Sequence, residues 1–327
     1  MDSTTTKTHV IGIDISLEET TCAVVDVKGD IVITDSFHTE NYPDGNQYAA
    51  AIAQCVEGLM ERSVGFEAIR SVGISAPSGN FATGCIENSP NLPWKGIFPL
   101  AAMLRDRLGL AVALANNAQV IALGEHAFGC ARGMHNFVVL TLGTGMGSCL
   151  FSNGLIHKGA EGFAGEIGHT CVMEGGRTCG CGHQGCLETY TATKGILQTA
   201  KEVLAASDEA SLMRDVELLS PKLIAQFCEE GDALAIEVYR RTGEILGLGL
   251  ANYASIVDPE AFVFTGGIAR AGKWLLEPAR ESFESHVFHN IKGKVKFVVS
   301  ELDGESHDVL GASVLAWEVK EYSLFKN

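Results

Sequence analysis

Hydrophobic and polar positions alternate in short runs near the start of the chain, a period typical of half-buried β-strands. Three such runs, HVIGIDIS, TTCAVVDV and DIVITDSFHT, predict three consecutive strands. Residues 46–64 change to a helical period. The pattern then predicts a strand (SVGISAPS), a loop rich in proline and asparagine, a helix, a strand ending at ANN and another helix. The predicted order is therefore βββαβαβα.

The same order begins again near residue 130, where FVVLTLG, MGSCLFSNG and LIHKG predict three further strands. A mainly helical stretch covers 190–256, with breaks at Ser220-Pro221 and near Gly231-Asp232. A strand (AFVFTGG), a helix over 272–286, a strand (KVKFVVS) and a final helix complete the second series.

This repetition predicts an α/β protein with two similar lobes. We expect residues 1–130 to form an N-terminal α/β lobe and residues 131–304 a C-terminal lobe. The last segment, 305–327, is expected to form a helix that packs back on the first lobe.

Composition excludes several classes of function. The net charge is −16 and no basic run is present, which argues against a nucleic-acid partner. No apolar stretch reaches the roughly 18 residues that a membrane helix needs. The N-terminal residues, MDSTTTKTHV, lack the apolar core of a signal peptide. A cytoplasmic location is therefore expected.

The stretch HTCVMEGGRTCGCGHQGC carries the most specific chemical pattern in the chain. His169, Cys179, Cys181 and Cys186 supply one imidazole and three thiolates, a complete tetrahedral set for zinc with no open position. A closed set indicates a structural zinc ion. Cys171 and His183 are the alternatives if one of these ligands is wrong, and a loop of reduced cysteines without metal is the alternative to the site as a whole.

Two carboxylates flank this predicted metal loop. Glu166 lies three residues before His169, and Glu188 two residues after Cys186. Fixing both ends of the loop would hold these groups as acceptors for sugar hydroxyls or similar donors. The alternative is that both side chains are simply solvated.

Two glycine-rich segments suggest contact with phosphate or nucleotide. TLGTGMG follows a strand, although strand-to-strand turns also use glycine. GGIARAGKW fits the spacing GxxxxGK, but Trp274 occupies the position of the Mg²⁺-binding hydroxyl. A true P-loop is therefore disfavoured, and Gly266 and Gly267 are better read as backbone against which a nucleotide lies.

At the end of a predicted strand the chain reads ANNAQ. Reactive groups gather at such strand ends in open α/β sheets. Asn116 and Asn117 are amides, and an amide cannot accept a proton at neutral pH.

Together these segments resemble the ROK family of sugar kinases and sugar-sensing repressors, and most closely its glucokinase-like members. GAEGFAGEIGHT followed by CGCGHQGCLE carries the resemblance, and LTLGTGMGS, PNLPWKG and ALGE support it. The resemblance implies a two-lobed actin-like ATPase (ribonuclease H-like) fold with a hexose in the cleft between the lobes. It also implies ATP with magnesium as phosphate donor and a homo-oligomer, a dimer or tetramer.

The resemblance assigns roles to matching residues. It implies zinc ligation by His169, Cys179, Cys181 and Cys186. It implies sugar contacts from Asn80, Asn116, Asn117, Glu166, His169 and Glu188. It implies nucleotide contacts from Gly143, Thr144, Gly145, Gly266 and Gly267, and places Asp14 beside Mg²⁺ and phosphate.

Two departures from the family pattern fall in the catalytic machinery. The family has Asn-Asp where this chain has Asn116-Asn117, so the general base that takes the proton from the sugar 6-hydroxyl is replaced by Asn117. The family's DIGGT reads here Asp14-Ile15-Ser16-Leu17-Glu18, and these side chains would obstruct close approach of phosphate.

Three functions follow from this combination. The first is an ATP-dependent hexose kinase with impaired activity, in which Glu166 or Glu188 could substitute as base. The second is a catalytically silent sugar-binding sensor or regulatory protein. The third, a repressor, is disfavoured because the first strand is expected to begin by residue 9, which leaves no room before it for a helix-turn-helix domain.

Overall fold

The computed structural model describes residues 7–89, 92–302 and 304–319. Their contacts divide the chain into two compact units. The first comprises the described residues of Met1–Arg132 and Leu302–Asn327, and the second comprises Gly133–Glu301. Each unit has its own core of buried aliphatic and aromatic side chains.

The first unit is built on a five-stranded sheet and a small three-stranded sheet. Its strands and helices up to residue 127 are β1 (His9–Ile15), β2 (Glu19–Asp26), β3 (Ile31–His38), α1 (Gly45–Arg62), β4 (Ile69–Ala76), β5 (Gly79–Asn80), β6 (Cys85–Glu87), β7 (Ile97–Phe98), α2 (Leu100–Leu108), β8 (Ala111–Asn116) and α3 (Asn117–Ala127).

The second unit is built on another five-stranded sheet. Its strands and helices are β9 (Phe137–Leu142), β10 (Met146–Ser152), β11 (Leu155–Ile156), α4 (Glu188–Thr191), α5 (Thr193–Ala205), α6 (Pro221–Glu229), α7 (Ala233–Val257), β12 (Ala261–Thr265), α8 (Lys273–His286) and β13 (Lys296–Val299). The helix α9 (Gly304–Glu318) follows it and belongs to the first unit.

The two larger sheets have the same strand order. The first runs β3-β2-β1-β4-β8 and the second β11-β10-β9-β12-β13. In each, the first three strands in sequence pair antiparallel, and the two later strands are added in parallel. The order read from the hydrophobic pattern thus occurs twice in space. Parallel strand ends gather at one edge of each sheet, where functional groups collect.

Helix α9 lies directly on β1 and β4 because two glycines leave room for it. A Cβ on Gly12 would lie 2.4 Å from the carbonyl oxygen of Val309, and one on Gly73 would lie 1.9 Å from that of Ala312. The Ser71 hydroxyl also donates a hydrogen bond of 2.7 Å to the carbonyl oxygen of Ala316. Residues 320–327 of the predicted final helix lie outside the described residues.

The predicted proline- and asparagine-rich loop, residues 87–96, borders a small sheet that the pattern does not predict. Of its described residues, 87–89 and 92–96, only Glu87 lies in a strand, so the loop prediction holds there. The sheet β5-β6-β7 that borders the loop was not predicted, because strands of two or three residues are too short to show a period in sequence. Trp94 from this segment packs on Tyr48, with ring centroids 4.1 Å apart. Burial of these rings orders a segment whose composition predicts a loop.

The helical stretch predicted over 190–256 is four separate helices, α4 to α7. Ser220 and Asp232 cap α6 and α7 with their side chains, as the breaks in the pattern indicate. No helix among the described residues is long and apolar enough to cross a membrane.

Candidate functional site

Four metal-ligating side chains converge in the second unit. His169 ends a short 3₁₀ helix (Ile167–His169), while the three cysteines lie in the loop before α4. One ligand atom from each of His169, Cys179, Cys181 and Cys186 lies within 4.8 Å of all the others. The predicted ligand set is therefore brought together in space.

The spacing of these atoms fits a tetrahedral metal. Nδ1 of His169 lies 3.6 Å from Sγ of Cys179, and the Sγ atoms of Cys181 and Cys186 are 3.6 Å apart. In a tetrahedral zinc site with bonds of roughly 2.3 Å to sulfur and 2.1 Å to nitrogen, neighbouring ligand atoms lie about 3.6–3.8 Å apart. The donor set and its dimensions thus fit zinc.

The loop around these ligands turns tightly, and Gly185 makes one turn possible. Its φ is 77°, and a Cβ there would lie 1.8 Å from the carbonyl oxygen of Met173. Two isolated β-bridges, between Cys171 and Cys186 and between Thr178 and Gln184, close the loop on itself.

Arg177 anchors the metal loop to the following helices, a role that the sequence pattern does not predict. Its guanidinium donates to the carbonyl oxygens of Thr189 (3.0 Å) and Gly195 (2.9 Å). It also pairs with Glu202 at 2.7 Å and lies over the ring of Tyr190, 4.7 Å from its centroid. A planar group with five donors is required for so many simultaneous contacts.

The predicted sugar-binding carboxylates lie beside this cluster. Oε2 of Glu166 is 4.0 Å from Nε2 of His169, the ring nitrogen that faces away from Cys179. Partial desolvation raises the pKa of the Glu166 carboxyl, His169 opposes this shift and Glu188 adds to it. Glu188 accepts a hydrogen bond of 2.9 Å from the backbone N–H of Met146.

The cluster of Glu166, His169 and Glu188 thus presents carboxylate oxygens and one imidazole nitrogen in a small region. Burial, and to a smaller extent the charge of Glu166, raise the pKa of the Tyr253 hydroxyl on α7. Nothing in the sequence pattern distinguishes Tyr253 from other residues of a long amphipathic helix.

The predicted nucleotide-contacting glycines lie in two adjoining turns. Gly143, Thr144 and Gly145 connect β9 and β10, and the Gly143 carbonyl accepts hydrogen bonds of 2.9 Å from the N–H and the hydroxyl of Thr193. Gly266 follows β12 with a φ of 88°, and a Cβ there would lie 2.4 Å from the Leu142 carbonyl oxygen. Glycine is therefore required at position 266, because the end of β9 lies too close to leave room for a side chain.

A cavity of about 470 Å³ opens beside these turns. Its lining includes Gly143, Gly267, Tyr239 and Trp274 and is largely apolar with a few polar groups. This size and lining are typical of sites for small organic ligands.

The GxxxxGK segment does not present its lysine as a P-loop would. Lys273 begins α8 and pairs with Glu229 at 3.6 Å. Trp274 donates a hydrogen bond of 2.5 Å to the same carboxylate. The segment instead forms one wall of the cavity.

In the first unit, predicted site residues lie at the carboxyl edge of the sheet. Asp14 on β1 pairs in register with Ser75 of β4, and Asn116 on β8 pairs with Ala76. Burial, and next the charge of Asp308, raise the pKa of Asp14 to about 8.

The predicted sugar-contacting amides of this unit have local structural roles. The side chain of Asn116 caps α3 by accepting a hydrogen bond of 2.9 Å from the N–H of Ala118, and Asn117 is the first residue of that helix. Asn80 accepts from the N–H of Ala82 at 2.9 Å and donates to Glu87 at 3.2 Å.

The segment after Asp14 forms a closed hairpin turn. The backbone N–H and the hydroxyl of Ser16 each donate to the Glu19 carbonyl at 2.9 Å, and the Glu19 N–H returns a bond of 3.0 Å to the hydroxyl. Leu17 and Glu18 project from this turn into solvent.

Residues 10–319 match the model of the ROK family. The chain belongs to the ROK family. This confirms the resemblance read from the sequence, and the chain has the α/β, actin-like ATPase fold of that family.

Relatives within the family include both enzymes and regulators. A glucokinase of Halalkalibacterium halodurans is 32% identical over 320 residues, which cover 95% of this chain and 94% of the relative. A xylose repressor of Caldicellulosiruptor bescii is 26% identical over 90% of this chain and 74% of its own length.

Among solved structures, a ROK family glucokinase from Streptomyces griseus, in complex with glucose and AMPPNP, is 30% identical to this chain. It matches with a TM-score of 0.77 over 95% of this chain and all of its own length.

Proposed function

We propose that this protein is a glucokinase-like hexose-binding protein that transfers the γ-phosphate of ATP to the sugar 6-hydroxyl at an impaired rate. The observation that carries the proposal is the position of Glu166 and Glu188 beside the four candidate metal ligands His169, Cys179, Cys181 and Cys186. The chain's glucokinase relatives support hexose as the substrate class.

We infer that zinc occupies the cluster and acts structurally. Four protein ligands leave no coordination position for a substrate, so the ion supplies rigidity and not Lewis-acid chemistry. With Nδ1 of His169 facing the cysteine ligand, its Nε2 stays available beside Glu166 to hydrogen-bond a sugar hydroxyl.

Sugar recognition is assigned to Glu166, His169 and Glu188 of the second unit, with Asn80, Asn116 and Asn117 as further predicted contacts. Ionised carboxylates accept hydrogen bonds from two hydroxyls each and so suit a polyol. The raised pKa of Glu166 still leaves an acceptor oxygen in either protonation state.

The nucleotide is assigned to the cavity beside Gly143 and Gly267. Its largely apolar lining, which includes Trp274, suits a flat heterocycle. Gly143, Thr144, Gly145 and Gly266 are predicted to lie along the phosphates, and Asp14 is predicted to help position magnesium and phosphate.

Asn117 is the reason why we expect slow phosphoryl transfer to the sugar. Its amide can hydrogen-bond the sugar but cannot remove the proton of the 6-hydroxyl, and general-base catalysis is worth typically ~10²–10⁴ in rate. Phosphoryl transfer depends heavily on positioning and charge neutralisation, so residual turnover is expected.

A silent sugar-binding sensor or regulatory protein is the second candidate. The closed Ser16–Glu19 turn supports it, because Ser16 and Leu17 stand at the sequence positions of the family's two glycines and their side chains would obstruct the approach of phosphate. In this case the hexose pocket is retained without transfer.

Calorimetric titration with glucose, mannose and N-acetylated hexoses tests the binding that both candidates share. We expect heat of binding from at least one of them, and a loss of affinity of about 10-fold or more in Glu166→Gln, since a hydrogen bond to a charged group contributes roughly 1.5–3 kcal/mol. Glu174→Gln, an exposed carboxylate of the same loop, is the control and should bind normally. If wild type gives no heat with any hexose, both candidates are wrong.

A further inference from the structure

Two free cysteines of the first unit, Cys22 and Cys55, lie outside the metal site and the cavity. Cys22 is on β2, and its side chain is fully buried. Cys55 is on α1, half-buried, and packs against the core cluster to which Cys22 belongs. A helix therefore carries an accessible thiol above a sheet that carries a shielded one.

Two contacts between α1 and the sheet show which strand positions the helix covers. At one end, the hydroxyls of Thr20 on β2 and Tyr48 on α1 lie 2.6 Å apart. At the other end, Arg62 of α1 pairs with Asp35 at 2.5 Å, and Asp35 on β3 is the register partner of Cys22. Register partners face the same side of a sheet, as do residues two apart on one strand. The side chain of Cys22 therefore points toward α1.

Cys55 occupies the position on α1 between these two contacts. Tyr48, Cys55 and Arg62 follow one another at intervals of seven residues, about two helical turns, so they lie along one face of the helix. The Arg62 side chain turns back along α1, since its Nε donates 3.0 Å to the carbonyl oxygen of Gly58. The face of α1 that carries Cys55 is thus held against the strand positions that include Cys22.

The two thiols differ in acidity as an attacking and a resolving thiol require. Their mutual hydrogen bond is the largest cause at both positions, and it lowers the pKa of Cys55 and raises the pKa of Cys22. At Cys55 the Arg62 charge adds to the lowering, while burial and the Asp35 charge oppose it. Cys55 is therefore the thiol that ionises, with the S–H of Cys22 donating to it. An accessible thiolate beside a second thiol is the arrangement of peroxide-sensitive cysteine pairs.

We propose that Cys22 and Cys55 form a redox-active pair that hydrogen peroxide converts into a disulfide between β2 and α1. The Cys55 thiolate attacks one peroxide oxygen, the O–O bond breaks, and Cys55 becomes a sulfenic acid while the released hydroxide takes up a proton to give water. The sulfur of Cys22 then attacks the sulfur of Cys55. The S–S bond forms, the S–O bond breaks, and the hydroxide leaves with the Cys22 proton as water. The pair loses two electrons to the peroxide, and no step depends on the proposed function.

Tryptic peptides identify this disulfide directly. Trypsin cuts between the two positions, after Lys28. Cys22 is then the single cysteine of peptide 8–28, and Cys55 is that of peptide 29–62. The full chain, with its zinc content measured, is treated with hydrogen peroxide, blocked with iodoacetamide and digested without reducing agent. We expect mass spectrometry to show the two peptides joined, with the loss of two hydrogen atoms, and dithiothreitol to separate them again.

Cys22→Ser separates the two roles. Serine keeps a hydroxyl that can donate to the Cys55 thiolate but cannot resolve a sulfenic acid. The sulfenic acid should therefore persist on Cys55, where dimedone captures it. Cys55→Ser should leave Cys22 unmodified by peroxide, because the Cys22 side chain is fully buried.

Cys130 is the control thiol within the same protein. It is half-buried like Cys55, but its Sγ donates 3.2 Å to a carboxylate oxygen of Glu125, which holds it in the unreactive protonated form. Because the thiolate is the nucleophile, Cys130 should be oxidised at least about 10-fold more slowly than Cys55.

Two results with the wild-type protein would overturn the proposal, and neither requires a variant to fold. One is oxidation of Cys55 to sulfenic or sulfinic acid with peptides 8–28 and 29–62 still separate, which would show that Cys22 does not resolve it. The other is oxidation of Cys55 and Cys130 at equal rates, which would show that Cys55 is not activated.

Discussion

Arg177 illustrates how much of the metal loop depends on one side chain. Its guanidinium links the loop to the backbone of Thr189 and Gly195 and to the side chain of Glu202. The four ligands themselves can be predicted from spacing because they lie within 18 residues of one another, from His169 to Cys186. Arg177 cannot be distinguished in this way, since its partners lie further along the chain.

Arg177→Lys is expected to loosen the loop and speed the loss of zinc to a chelator by about 10-fold, the lower end for a residue that orients metal ligands. Lysine keeps the charge but cannot reach several acceptors in one plane.

Zinc release followed with a colorimetric chelator measures this effect. Arg214→Lys is the matched control, because Arg214 also donates to backbone carbonyls, those of Leu204, Ser207 and Glu209, away from the metal loop. Equal release rates for Arg177→Lys and wild type would show that Arg177 does not hold the loop.

At the scale of elements, α9 packs directly on β1 and β4, and Asp14 lies on the first of these strands. This close packing requires glycine at position 73, because a Cβ there would lie 1.9 Å from a backbone oxygen of α9. Backbone atoms in a packed core cannot move aside cheaply.

Gly73→Ala is therefore expected to lower the free energy of unfolding by about 3 kcal/mol, the upper part of the range for overpacking. Urea unfolding followed by circular dichroism measures it. Gly58→Ala is the control, since a Cβ on Gly58 in α1 meets nothing within 4 Å. That change should gain roughly 0.5–1 kcal/mol from helix propensity. If Gly73→Ala left the free energy of unfolding unchanged, the close packing of α9 on β4 would be contradicted.

The long helix α7 carries an ion-pair network with a defined pH dependence. Glu237 accepts bonds from Arg240 and Arg241, and these bonds lower its pKa to about 2. Because the folded pKa lies below the unfolded value of about 4.3, the stabilisation is full above the unfolded value. It is lost as pH falls from there toward the folded value.

Glu237→Gln should accordingly lower the free energy of unfolding by about 1 kcal/mol near neutral pH, a value kept small because the network is partly exposed. The difference from wild type should shrink as the pH is lowered below about 4. Urea unfolding at a series of pH values checks this. A difference that stays constant with pH would contradict the assigned pairing.

Helices and strands could be predicted from the sequence where their hydrophobic residues follow a regular period. The strands β1, β2 and β9 and the capped helices α6 and α7 are evident from alternation and from Ser220 and Asp232. The sheet β5-β6-β7 was missed because its strands are too short to show a period. Asp14 and Asp308 lie far apart in sequence and interact only because α9 packs on the first sheet, so no local pattern relates them.

At the scale of the whole molecule, one topology occurs twice with different contents. The second unit holds the metal loop, its flanking carboxylates and the glycine-lined cavity. The first unit holds Asp14, Asn116 and Asn117 at the corresponding strand ends. The family membership and the fold are thus established. Among the residues predicted to contact the sugar, Asn117 is the one from which we infer an impaired turnover.

Hexose-dependent ADP formation by wild type and Asn117→Asp tests this most directly. An aspartate at the first position of α3 suits the helix dipole, so the variant should fold. Asn46→Asp, at an exposed position in the first turn of α1, is the matched control. We predict slow turnover for wild type and for the control, and turnover about 10²-fold faster or more for Asn117→Asp. Rapid turnover by wild type with no gain from the substitution would contradict the role given to Asn117.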